Sequence, residues 1–108
     1  MSSEFDAKKM NSAIEAGSSR GIDEVALLLE SDMRMYAPIK TGALKASIET
    51  DKLDKLSTIV GSDIYYAHYV DKYYENKGMS YVDMTMESNE DLIADIIIEE
   101  ILKSIDEI

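Results

Sequence analysis

Two stretches of the chain carry a helical rhythm, and the stretch between them does not. Near the N-terminus Ile22, Val25, Leu29, Met33 and Tyr36 recur at steps of three and four residues, with Asp23, Glu24, Glu30 and Arg34 between them. That spacing puts the apolar side chains on one face of a helix. Met10 and Ile14 keep the same phase if Gly17, Ser18 and Gly21 fill the intervening contact positions, which gives one helix over about 3–37. The alternative is a break at residues 17–21, because a glycine inside a helix costs about 1 kcal/mol. Pro38 disfavours the helical region at Ala37, so the helix is expected to stop near Tyr36.

Between Pro38 and Asp83 the period shortens to a β-rich region at about 44–84, in which Ala46–Thr50, Ser57–Ser62 and roughly Tyr81–Met84 read as short strands. Residues 51–55 (DKLDK) read as a polar hairpin connection, Thr58, Ile59 and Val60 are β-branched, and Gly61 offers a bulge or a turn. The segment Ile64–Tyr74 fits two patterns. Tyr65, Ala67, Tyr69 and Tyr73 would share a strand face, whereas Tyr66, Tyr69, Val70 and Tyr73 would share a helical one. Residues 75–78 read as a turn or flexible loop before the last expected strand. A second helix is expected over about 86–106, where Ile93, Ile96, Ile97, Ile101, Leu102, Ile105 and Ile108 make an apolar stripe that Leu92 and Ile98 widen. Ser88 and Asp91 resemble a capping box, and Thr85 offers an earlier start. A stripe this wide suits core packing, and it also suits a face shared with another subunit. The predicted fold class is α+β: one domain, 1–108, with a long N-terminal helix and a C-terminal helix packed on a small, mainly antiparallel β-sheet.

Composition narrows the function classes. The chain has 108 residues, 45% hydrophobic and 31% charged, a globular balance sufficient for one core. No run of about 18 apolar residues is present, and MSSEFDAKKM lacks the apolar centre of a secretion signal, so synthesis in the cytoplasm and no membrane are expected. Without cysteine, the fold must rest on packing or on neighbouring subunits. A net charge of −11 argues against gripping a nucleic-acid backbone. Much of it comes from Glu87, Glu90, Asp91, Asp95, Glu99, Glu100, Asp106 and Glu107, against Lys103 alone in that stretch.

Candidate chemistry is sparse. His68 is the sole histidine, and nothing local marks a serine as activated. The spacing of Asp63, His68 and Asp71 matches neither a zinc nor a calcium signature, and no glycine-rich phosphate loop occurs. The expectation is therefore a protein that is not an enzyme, with no cofactor and no metal. Tyr65, Tyr66, Tyr69, Tyr73 and Tyr74 lack the cationic groove that base stacking requires. They read better as a subunit or partner interface, or as a half-buried core.

Two segments carry a further pattern. Residues 37–48, Ala-Pro-Ile-Lys-Thr-Gly-Ala-Leu-Lys-Ala-Ser-Ile, follow directly on the first helix and resemble the A-P-x-D-T-G-x-L-R-x-S-I signature of a phage tail-component family whose members are counted among neck and head-tail joining proteins. Residues 60–71, Val-Gly-Ser-Asp-Ile-Tyr-Tyr-Ala-His-Tyr-Val-Asp, are similar to that family's V-G-x-x-x-x-Y-A-x-Y-V-E. Lys40 stands in place of the usual acid, Asp71 in place of Glu, and residues 72–74 lack the family's Phe-Gly-Thr. The structural logic of the first segment stands without the family: Pro38 ends the helix, Thr41 bonds the turning backbone, Gly42 frees it, and Leu44 and Ile48 re-enter the core.

The resemblance implies a virion structural protein, a ring of copies of itself, sixfold like the tail it would meet. Such a ring would touch the head connector and the tail tube or terminator, or would itself terminate the tail. It would assemble in the host cytoplasm and end in the neck or tail of the particle. DNA would pass through without being specifically bound, helped by like-charge repulsion if the acids rim the channel. The rival class is a small acidic DNA-mimic or regulatory binding module, which accounts for the charge but leaves the first segment as coincidence.

Overall fold

One helix, α1, covers Ala7–Tyr36 without interruption, so residues 17–21 do not break it. The computed structural model describes residues 6–38, 42–64 and 66–108. Asp6 caps the start of α1, its Oδ1 accepting from the Lys9 amide at 3.1 Å. At the far end Ala37 takes the extended conformation that a following proline favours, φ −62° and ψ 143°, while its N–H still closes on the Met33 carbonyl. After α1 come α2 (Gly42–Ser47), β1 (Glu49–Asp54), β2 (Ser57–Gly61), α3 (Ala67–Glu75) and α4 (Tyr81–Asp106).

The two glycines are tolerated in α1 because α4 occupies the space their side chains would need. A Cβ on Gly17 would lie 2.5 Å from Ile101 Cα and 2.7 Å from the Glu100 carbonyl oxygen, and one on Gly21 would lie 2.8 Å from Ile97 Cα. Ala13, Gly17, Gly21 and Val25 thus form a buried row at four-residue steps, and small side chains let the two helix backbones approach closely.

Two of the strand expectations change, and so does the hairpin connection. Tyr81–Met84 is the first turn of α4 and not a strand, so α4 starts well before Met86. Its cap is Ser80, whose Oγ accepts from the Asp83 amide at 3.1 Å. Ser88 and Thr85 instead donate to the Thr85 and Tyr81 carbonyls one turn back. Ala46 and Ser47 belong to α2, and the strand there begins at Glu49. Residues 51–54 of the expected connection lie in β1, leaving Lys55 and Leu56 as the turn, where the Leu56 amide donates to Asp54 Oδ1 at 2.8 Å. The ambiguous tyrosine segment is helical from Ala67. Among the described residues, the β-rich region therefore reduces to one antiparallel pair, Glu49 opposite Gly61 and Thr50 opposite Val60, with an irregularity between Lys52 and Asp54 and not at Gly61.

α1 is the middle layer, with α4 along one side and the β-hairpin on another. Lys52 Nζ reaches Asp23 at 2.8 Å and Ser19 at 3.3 Å, and Lys55 reaches Glu15 at 3.6 Å. Such exposed pairs stabilise little. The principal core lies at the end where α1 stops: Met33, Ala37, Leu44, Ile48, Ala67 and Tyr81, with Tyr36, Val60, Tyr66 and Val70 packed around them. The chain extends 65 × 23 × 17 Å with a radius of gyration of 17.8 Å, well above the roughly 13 Å of a compact domain this long.

Arg34 locks the junction between α2 and β1. Its Nε and Nη2 both donate to the Ile48 carbonyl, at 3.0 and 2.6 Å, with Glu30 one turn back at 3.7 Å. Arg34→Met keeps the aliphatic stem and removes the fork, so chemical denaturation should show a loss of about 1.5–2 kcal/mol, the lower end of the range for hydrogen bonds to charged groups. A loss below the error of the measurement would mean that water replaces the guanidinium at no cost.

Candidate functional site

The two motif-bearing segments are distant in sequence and meet in one core. Leu44 and Ile48 of the first are fully buried, in a cluster that includes Val60, Tyr66, Ala67 and Val70 of the second. Polar bonds join them too. Ser47 Oγ donates to the Leu44 carbonyl at 2.6 Å and lies 2.5 Å from Ser62 Oγ, which accepts from the Ile64 amide at 3.1 Å. Pro38 is half-buried just past α1, Gly42 opens α2, and Gly61 ends β2. Thr41 lies outside the described residues. Pro38, Gly42, Leu44, Ile48 and Gly61 are scaffold positions that shape the turns and the core.

α3 divides the tyrosines between two faces. Ala67, Val70 and Tyr74 turn inward with Tyr66, whereas Tyr69 and Tyr73, four residues apart, are 70% and 57% exposed. Tyr65 lies outside the described residues. The exposed rings are held by edge contacts, His68 on Tyr69 at 5.6 Å and Tyr73 on Tyr74 at 5.2 Å between centroids, with Lys77 Nζ 5.0 Å over the Tyr73 ring. Asp71 has a structural task that its sequence position did not reveal. Its Oδ1 accepts from Ser80 Oγ at 2.9 Å and faces the Val82 amide at 3.4 Å, which fastens α3 to the N-terminus of α4. Burial pushes the Tyr81 phenol up, and the Asp71 charge adds to the shift.

Of the acids on α4, Glu100 does not face solvent. It is buried against α1, with Arg20 Nε at 3.3 Å and Lys103 Nζ at 3.4 Å. The Glu24 carboxyl faces it across the helix pair. A hydrogen bond between the two raises Glu24 above the ordinary carboxylate value of 4.5 and lowers Glu100 below it, while Glu99 also raises Glu24 and Lys103 opposes. Lys103 is itself raised, chiefly by the charge of Glu100. Because its folded-state value is raised, Glu24 favours the folded chain in acid and loses that contribution as pH rises through its folded value; the lowered Glu100 contributes above its unfolded value and loses that as pH falls. Glu24→Gln keeps a donor to Glu100 at every pH and removes the repulsion. The melting temperature of this variant should exceed that of the parent at pH 7, with the difference closing below the ordinary carboxylate range. A constant difference across pH would show that the pair is not coupled.

Another buried polar group, Asn89, donates its amide to Asp32 Oδ2 and to the Thr85 carbonyl, each at 2.8 Å. It sits with Tyr81 and Thr85 in one row at four-residue steps facing α1, where it fixes the axial register of the two long helices.

Large apolar side chains stay uncovered on several elements, among them Leu53, Leu56 and Ile59 on the hairpin, Leu27 and Met35 on α1, and Met86, Leu92, Ile98 and Leu102 on α4. Of these, Leu92, Ile98 and Leu102 belong to the apolar stripe read from the sequence, whereas Leu53 is hidden inside the connection 51–55, which reads as polar. No described helix is long and apolar enough to cross a membrane. Comparison with known protein families, with curated proteins and with solved structures finds no match to this chain.

Proposed function

We propose that this chain is a structural subunit of a tailed phage or prophage, acting without chemistry of its own as one member of a ring at the head-tail junction or the tail end. The observation that carries the reading is the joint core: the two segments that resemble the tail-component family fold onto each other, Leu44 and Ile48 against Val60, Ala67 and Val70, and Ser47 against Ser62. Their place in that core makes them a scaffold, and an extended chain with apolar rows left open on several elements suits a subunit completed by its neighbours. The test is a particle lacking the chain. Full heads without tails, or tails of uncontrolled length, are expected by electron microscopy, and intact infectious particles would overturn the proposal.

One observation favours the acidic DNA-mimic as a second reading: the molecule is a rod 65 Å long and 23 × 17 Å across, with acids along one long helix. Under that reading a DNA-binding enzyme or repressor would bind the chain in competition with duplex DNA and lose it at high salt.

A further inference from the structure

We infer that the outer face of α3 on one copy docks on the outer face of α4 on a second copy, in a head-to-tail interface. This rests on the proposal that the chain self-assembles. On α4, Asp91, Asp95, Ile98 and Leu102 follow one another at steps of four, three and four residues and so share one face; Ile98 and Leu102 are 53% and 55% exposed. A symmetric pairing of two α4 faces would gather the carboxylates of Asp91, Asp95 and Glu99 from both copies into one interface without bringing new cations to it. The partner face must be apolar, and it must bring cations.

α3 supplies both. Tyr69, Lys72, Tyr73 and Asn76 share its outward face, with Lys77 lying over the Tyr73 ring. Asp71 is turned away to Ser80, which leaves Glu75 as the exposed acid of that helix. Tyrosine rings flanked by ammonium groups fit a surface of isoleucine and leucine flanked by carboxylates. The contact cannot form within one chain: α3 touches its own α4 at Ser80 and Val82, whereas residues 91–102 lie about 15–32 Å farther along the helix at 1.5 Å per residue. Each copy therefore offers one half of the interface at one end and the other half along its length, which propagates from copy to copy and closes into a ring if the rotation allows.

The chain has no cysteine, so placed thiols give a clean test on the purified protein. Copies carrying Asn76→Cys are mixed with copies carrying Ile98→Cys and treated with a short bismaleimide. Cross-linked pairs are expected from the mixture and a ladder of multimers from the double variant. Adding Lys72→Glu and Lys77→Glu to the first copy should reduce the product at least tenfold, and Asp91→Lys with Asp95→Lys on the second should restore it. No product from the mixture, product from the Ile98→Cys copies alone, or insensitivity to charge reversal would each overturn the interface. A cross-link formed by a chain that particles do not require would retain the interface and reject the phage role, so the two failures are distinguishable.

Discussion

Replacing Gly17 by alanine is expected to destabilise the protein by about 2 kcal/mol, although alanine is the better helix former. Propensity alone favours alanine by about 1 kcal/mol, and steric overlap works against it. The new methyl carbon would sit 2.5 Å from Ile101 Cα and 2.7 Å from the Glu100 carbonyl oxygen. Both are backbone atoms, which a rotamer change cannot move aside. The helices must separate, which weakens the Arg20–Glu100 contact at 3.3 Å and the packing of Ala13 and Gly21 beside it. Overpacking of this kind typically costs 1–3 kcal/mol and sometimes more, so the steric effect outweighs propensity. Thermal unfolding followed by circular dichroism should show a melting temperature lower by about 10 °C. Gly61→Ala is the control, because nothing lies within 4 Å of its added Cβ. A neutral or stabilising Gly17→Ala would mean that α4 does not lie against this glycine.

That dependence explains which parts of the fold the sequence could express. The end of α1 was legible because Pro38 acts locally, and the apolar rhythm from Ile22 to Tyr36 marks its face. Whether α1 ran through Gly17 and Gly21 was not legible, since a glycine breaks a helix or admits a neighbour depending on what lies across from it, and the neighbour is some 80 residues away in the chain. The start of α4 was misread for a related reason. Its buried row is Tyr81, Thr85, Asn89, and two polar members hide the period that identifies a helix face. Asn89 can be buried there because Asp32 of α1 receives its amide, a fact of packing. The signal that was present, Ser80 three residues before Asp83, was weaker to the eye than Ser88 before Asp91, which stands beside the isoleucine run. In α3 the step from Tyr69 to Tyr73 fits a helical face, but the alternation of Tyr65, Ala67, Tyr69 and Tyr73 fits a strand equally well, so spacing leaves both open, and the strand expected from Ala46 begins only at Glu49 because Ala46 and Ser47 belong to α2. Of the candidate interface, the exposed pair Tyr69 and Tyr73 was among the tyrosines read as a contact surface, whereas the inward position of Tyr74 depends on a core that sequence spacing alone does not assemble.

Leu44→Ala is expected to cost about 3–4 kcal/mol, the largest effect of any truncation at the α2 end of the molecule. Leu44 is 0% exposed, and the cavity left by its removal would be walled by Met33, Ala37, Ile48, Ala67 and Tyr81, drawn from α1, the α2 junction, α3 and α4. Because those walls come from four directions, none can collapse inward without moving another, and the penalty falls in the upper half of the range for buried leucine truncations. The effect should not stay local. The remote half of the α1–α4 pair is built on Ala13, Gly17, Gly21, Glu100 and Ser104, which bury little apolar area, so it relies on the core at the other end to hold the helices in register. Helical signal at 222 nm and tyrosine fluorescence should therefore change together in a single transition at lower denaturant, with an unchanged m-value. Leu53→Ala, on the exposed side of the hairpin, should change stability by no more than about 0.5 kcal/mol. Two separated transitions for Leu44→Ala, with helical signal persisting after the tyrosine environment is lost, would show instead that the long helix pair stands without the core formed by the two motif segments.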